Sequence, residues 1–164
     1  MSGSTSKRGT TVQEAIRLSR PFRSAGQEAA IALLLTAESV RGVYHDLLAP
    51  RGDLTLQQYN VLRILRGAGE QGLPTLSIAD RMVERAPGVT RMIDRLERKG
   101  LCVRERASTD RRQVVCRITK AGLALLAALD RPVDAVDERI VAALSPQQIR
   151  QLVRLLDRIR NGLE

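Results

Sequence analysis

The chain has 164 residues, 43% hydrophobic and 27% charged, which is enough for one domain with a real core and unlike a disordered composition. Its net charge is +9, from 27 Lys+Arg against 18 Asp+Glu, and Lys7, Lys99 and Lys120 are the only lysines. Arginine forks onto phosphates and guanine edges, so this bias favours a nucleic-acid partner over a merely solvated surface. Two cysteines, Cys102 and Cys116, exclude a disulfide-dense secreted scaffold, and a single histidine, His45, excludes zinc-finger spacing.

Residues 1–10 are polar and low in hydrophobes, as in a disordered tail. "TVQEAIRLSR" at 11–20 carries Val12, Ile16 and Leu18 on one side and predicts a short helix ended by Pro21. A long helical pattern follows from about Ser24 to Leu48. It is apolar around much of its circumference at 29–35 ("AAIALLL"), so it needs other helices or a partner subunit around it. That run is too short to span a bilayer, and the N-terminus lacks a signal-peptide pattern, so a cytoplasmic protein without membrane contact is expected.

"APRGD" breaks the long helix. Thr55 then caps a helix with an apolar stripe of Leu56, Tyr59, Leu62, Ile64 and Leu65, ended by glycines. "LPTLSIADRMV" predicts a short helix capped by Thr75, with Leu76, Ile78, Ala79 and Met82 as its apolar residues. "APGVTRMIDRLERKG" predicts a second helix with Pro87 in its first turn, Val89, Ile93 and Leu96 facing the core, and Gly100 closing it. Two such helices joined by three or four residues form a helix-turn-helix pattern.

"LCVRERASTDRRQVVCRIT" alternates in two blocks about a polar centre and predicts a β-hairpin. Apolar parity turns Leu101 and Val103 inward on one strand and Val114, Cys116 and Ile118 inward on the other. Cys116 is then a small core residue, and Cys102 is a bystander on the opposite face, where a cross-strand disulfide is not expected. Helix returns at Lys120–Leu129, is kinked or interrupted by Pro132, and resumes to Leu144. "SPQQ" at 145–148 starts the last helix, with Ser145 as cap, Pro146 first and Gln148 closing a capping box. Ile149, Leu152, Val153, Leu156 and Ile159 share one face of that helix, and Arg150, Arg154 and Arg158 lie on another.

The charge is concentrated. From Arg81 to Arg117 there are eleven basic and five acidic residues, a net +6 of the total +9. Over a helix-turn-helix and hairpin this is the footprint of a DNA-binding face. In the second helix Pro87, Gly88, Thr90 and Arg91 occupy the first turns, the part that reaches base edges in a major groove, and Arg95 lies off the core face. Arg91 on guanine O6 and N7 would contribute about 1–3 kcal/mol of discrimination; the alternative is a surface arginine paired with Asp94. Thr75 and Ser77 near the first helix's N-terminus suit phosphate, although cap residues would stand there anyway. Asp110, Arg111 and Arg112 crown the hairpin turn.

"LTLQQYNVLRIL", "VTRMIDRLERKGLCVRERASTDRRQVVCRIT" and "KAGLALL" resemble the MarR-type winged helix-turn-helix regulators over about residues 24–162. The most specific piece is Asp110-Arg111-Arg112, followed at fixed spacing by Ile118-Thr119. The resemblance implies a mainly α fold with a small β-hairpin wing (α+β), flanked by N- and C-terminal dimerisation helices. It divides the chain into a tail at 1–10, dimerisation helices at 11–53, a DNA-binding domain at 54–119 and further dimerisation helices at 120–164. It also implies a homodimer on double-stranded DNA, acting on a pseudo-palindromic operator as a repressor and released by a small phenolic or anionic effector. Arg112 would then enter the minor groove with Asp110 orienting it, and Arg111 would contact phosphate. The chain departs from oxidant-sensing members, which carry a cysteine in the first long helix, and from urate-type members, which use a tryptophan; residues 12–20 match the latter's extra helix.

Tyr44 and His45 are weak candidates for an effector site. No cofactor or metal is expected. An enzyme is disfavoured, because one histidine permits no His-pair metal site and neither a glycine-rich phosphate loop nor a nucleophile–base pair is present. The competing function is a winged-helix protein-interaction module, or a non-specific DNA-binding factor without ligand sensing.

Overall fold

Local capping chemistry sets most of the helix starts. The computed structural model describes residues 10–83, 88–106 and 114–163, and the chain divides into two units, one ending at Gly42 and one beginning at Val43. The first unit holds α1 (Val12–Ala15) and most of α2 (Ala25–Leu48). A capping box opens α1: Thr11 Oγ1 accepts the Glu14 amide at 3.3 Å, and Glu14 accepts the Thr11 amide at 2.8 Å. The helix is one turn long rather than the predicted ten residues, because Arg17 adopts φ 52° and ends it well before Pro21. Ser24 starts α2 by accepting the Gln27 amide at 3.1 Å. None of the apolar residues at 29–35 is buried in the chain, and Leu34 stays 72% exposed. The burial expected of that stretch is therefore not supplied by this subunit.

The second unit is built on α3 (Leu56–Ala68), which carries the predicted Thr55–Gln58 capping box. Around α3 pack α4 (Thr75–Asp80), α5 (Val89–Arg98), the strands β1 (Cys102–Arg106) and β2 (Val114–Ile118), and α6 (Lys120–Val141). Val61, Leu62 and Leu65 of α3 meet Ile78, Ile93, Leu96, Cys102, Cys116, Leu126 and Leu129 in one core. Burying each of the larger side chains contributes roughly 1.5–3 kcal/mol. Leu76, expected among them, is 79% exposed. It sits two residues, about 200°, from Ile78 on a six-residue helix, so only one of the two can face inward.

The strands pair antiparallel with Cys102 opposite Ile118 and Arg104 opposite Cys116. Leu73 adds a bridge to Cys116, its amide donating to the Cys116 carbonyl at 3.0 Å and its carbonyl accepting the Cys116 amide at 2.8 Å. Pro132 does not interrupt α6, which is one helix. Buried Leu126, Leu129, Val133 and Val136 run down one face on both sides of the proline, and this packing outweighs the single backbone bond that proline removes. The last helix, α7 (Pro146–Asn161), opens on the predicted Ser145–Gln148 box and buries none of its residues.

Candidate nucleic-acid interface

Helix α5 begins at Val89, behind Gly88 at φ 112°, a conformation that glycine adopts without strain. Gly88 is thus the N-cap rather than a first-turn residue, and Pro87 lies outside the described residues. Val89, Met92, Ile93 and Leu96 are buried, which leaves Thr90, Arg91 and Arg95 exposed on the opposite side. Among the described residues neither Arg91 nor Arg95 forms an ion pair. The alternative partner for Arg91 is taken, because Asp94 is bound to Arg104 at 2.6 Å.

Arg104 was invisible to the hydrophobic pattern. Its backbone amide donates to Glu97 Oε1 at 2.9 Å and its Nη1 to Glu97 Oε2 at 2.7 Å. Its Nη2 donates to Asp94 Oδ1 at 2.6 Å and to the Thr90 carbonyl at 3.3 Å. The available signal was Asp94 and Glu97 three apart on a helix, with an arginine two residues beyond Cys102. The strand register puts Cys102, Arg104, Cys116 and Ile118 on one face. Cys102 is therefore not a bystander. It is fully buried, as is Cys116, and its thiol lies 3.7 Å from the Ile93 carbonyl. Val114, expected inward, is half exposed, and Val103 is only partly covered. The parity failed on β1 because the inward position that looks polar is a neutralised arginine.

Both cysteines are free. Burial, reinforced by Cys116 and Glu97, pushes the Cys102 thiol up to about 12, and burial likewise raises Cys116. Thiolate is the reactive form, so iodoacetamide at pH 8 should label neither residue in the folded protein and both after unfolding, as read by mass spectrometry.

Thr75 is the first residue of α4, not its cap; Pro74 holds the cap position. The Thr75 hydroxyl lies 3.8 Å from Cys116 Sγ, turned toward the sheet, while Ser77 is half-buried on the same helix. Several cations of the basic segment are tied to the protein itself. Lys99 Nζ bonds Asp53 Oδ2 at 3.0 Å and the Gly52 carbonyl at 3.2 Å, and Arg117 bonds Glu105 at 2.9 Å. An open groove of about 870 Å3 on the far face of the sheet is lined by Arg66, Glu70, Val103, Glu105, Arg117 and Leu123, among others. Its arginines are engaged, Arg66 with Asp130 at 2.9 and 3.0 Å and Arg117 with Glu105, so it offers little free positive charge. Tyr44 donates its hydroxyl to Asp137; burial first, then this bond, pushes the phenol up to about 12. His45 is exposed. Asp110, Arg111 and Arg112 lie outside the described residues, between β1 and β2.

The MarR family model matches residues 54–114, from the start of α3 into β2. The homoprotocatechuate degradative operon repressor of Escherichia coli is 29% identical over 127 residues, 77% of this chain and 84% of that protein. The crystal structure of a MarR transcription factor from Planctomyces limnophilus is 39% identical with a TM-score of 0.63, covering 84% of this chain and 98% of that one. The chain belongs to the MarR family. It is a transcriptional regulator of the MarR type, with α4 and α5 as its helix-turn-helix and β1–β2 as its wing. The MarR fold is shared with Sco3205 of Streptomyces coelicolor, a MarR family transcriptional regulator solved in complex with DNA, at TM-score 0.74 and 19% identity over 89% of this chain and 93% of that one. No helix among this regulator's described residues is long and apolar enough to cross a membrane.

Proposed function

We propose that the chain acts in the cytoplasm as a homodimeric repressor that reads a pseudo-palindromic operator through α5 and the wing and is released by a small phenolic or anionic effector. The observation that carries this is the division of charge on α5. Its acids are bound back by Arg104, while Thr90, Arg91 and Arg95 face outward without ion-pair partners among the described residues. The helix N-terminus, with Gly88, Thr90 and Arg91, enters the major groove, and Arg91 reads guanine. Ser77 suits a phosphate better than Thr75, whose hydroxyl turns inward. Arg112 enters the minor groove, oriented by Asp110, and Arg111 meets phosphate.

Support for the DNA complex comes from Sco3205, solved with DNA, support for repression from the homoprotocatechuate degradative operon repressor, and support for a small effector from PcaV of Streptomyces coelicolor, solved in complex with its natural ligand. The uncovered apolar faces of α2 and α7 support a second copy.

Binding to duplexes from the chain's own promoter region and to enriched genomic fragments tests this. A site with half-sites about one helical turn, roughly 10 bp, apart is expected, with affinity falling steeply in salt. Arg91→Ala should weaken it by about 1–3 kcal/mol. Arg112→Ala should weaken it too, without a change in melting temperature. Equal affinity for scrambled duplex would leave only a non-specific DNA-binding factor.

A further inference from the structure

One polar construction in the second unit holds the recognition helix without engaging the side chain of Arg91 or Arg95. One arginine on the wing strand spans two turns of the recognition helix through Thr90, Asp94 and Glu97. Both terminal nitrogens of Arg104 are occupied, and the side chain is only 25% exposed, so it has little left to offer a phosphate. The backbone amide of the same residue closes a second bond to Glu97, so helix and strand are joined by main chain as well as side chain. Hydrogen bonds between a guanidinium and carboxylates at 2.6–2.7 Å are short and charge-assisted. A flexible link would let the groove-facing helix and the wing tilt independently.

We propose that Arg104 is a positioning residue for DNA reading. It locks α5 to β1 so that helix and wing meet the duplex as one rigid body, and it neutralises the two carboxylates of α5 that would otherwise repel phosphate. Flank recognition by the wing is thereby made conditional on correct seating of the helix. This rests on the operator reading above. The distinction from a merely structural ion pair is that the wing's contribution to sequence preference, not only overall affinity, depends on Arg104.

The test uses the full chain and an operator fragment selected by the wild-type protein, in two versions, one native and one with the A·T pairs flanking each half-site replaced by G·C. Wild-type protein should prefer the native flanks. Arg104→Met should bind the native fragment about ten- to a hundred-fold more weakly and lose most of the flank preference. Retained flank preference would make Arg104 a plain ion pair or a phosphate contact and overturn the proposal, as would binding within two-fold of wild type. Asp94→Asn with Glu97→Gln keeps hydrogen-bond acceptors while removing the charge pairing, and serves if Arg104→Met does not fold. It should reduce flank preference at unchanged helicity; tighter binding with the preference intact would show that a freed Arg104 contacts DNA. If wild-type protein selects no operator at all, the operator reading fails first, and a flank effect cannot be claimed.

Discussion

Gly122→Ala is expected to destabilise the protein by about 1–2 kcal/mol net, although alanine is the better helix former. Gly122 lies in the first turn of α6, where the propensity gain from alanine would be about 1 kcal/mol. A Cβ there would stand 2.3 Å from the Leu101 carbonyl oxygen and 2.7 Å from Ile118 Cγ1. The oxygen is backbone and cannot swing away. It also accepts the Thr119 amide at 3.1 Å, while the Thr119 hydroxyl donates to the Gly100 carbonyl at 2.7 Å and accepts the Gly122 amide at 3.1 Å. Relief would pull α6 off the base of the wing and break that knot, so overpacking exceeds propensity. Gly67→Ala is the matched control, since nothing lies within 4 Å of its would-be Cβ in α3; it should be neutral or stabilising by up to about 1 kcal/mol. Urea denaturation followed by circular dichroism measures both, and equal midpoints for the two variants would refute the close approach.

That glycine also shows what a sequence can and cannot reveal. "KAGLALL" was legible as a family segment, but the reason for its glycine is a close approach to the Leu101 carbonyl, far earlier in the chain, which no local pattern encodes. The capping boxes at Thr55 and Ser145 were legible because all their partners sit within three residues. The face of α5 was legible because its period of 3.6 is carried by four apolar residues. Thr75 was misread because proline before it satisfies the same position without a side-chain bond. Strand β1 was misread because alternation assumes that an arginine faces water, whereas Arg104 faces two carboxylates on the neighbouring helix. Asp110, Arg111 and Arg112 rest on the family pattern, since they lie outside the described residues.

The second large effect is expected from Leu152→Asp with Leu156→Asp on α7: conversion of the dimer to a folded monomer that no longer holds its operator. Leu152, Val153, Leu155, Leu156 and Ile159 are 36–52% exposed in the single chain, and α7 buries nothing. A row of apolar residues on a 16-residue helix, about 24 Å long, is stable in water only when another surface covers it. Because these side chains contribute little to the subunit's own core, helicity and the core around α3 should survive the change. In a twofold dimer each substitution counts twice. The part of each leucine that a partner covers contributes roughly 0.5–1 kcal/mol, so four of them carry about 2–4 kcal/mol. Four carboxylates placed in the same apolar seam without partners add several kcal/mol more against association. Sedimentation equilibrium should move from about twice the 18.1 kDa chain mass to the chain mass itself. Operator affinity should fall at least a hundred-fold, because a lone α5 reads one half-site and loses the linked second contact. A variant that stays dimeric would place the interface elsewhere, on α2 for instance. A monomer with undiminished operator affinity would mean that one subunit carries all the recognition, and the palindromic reading would have to be abandoned.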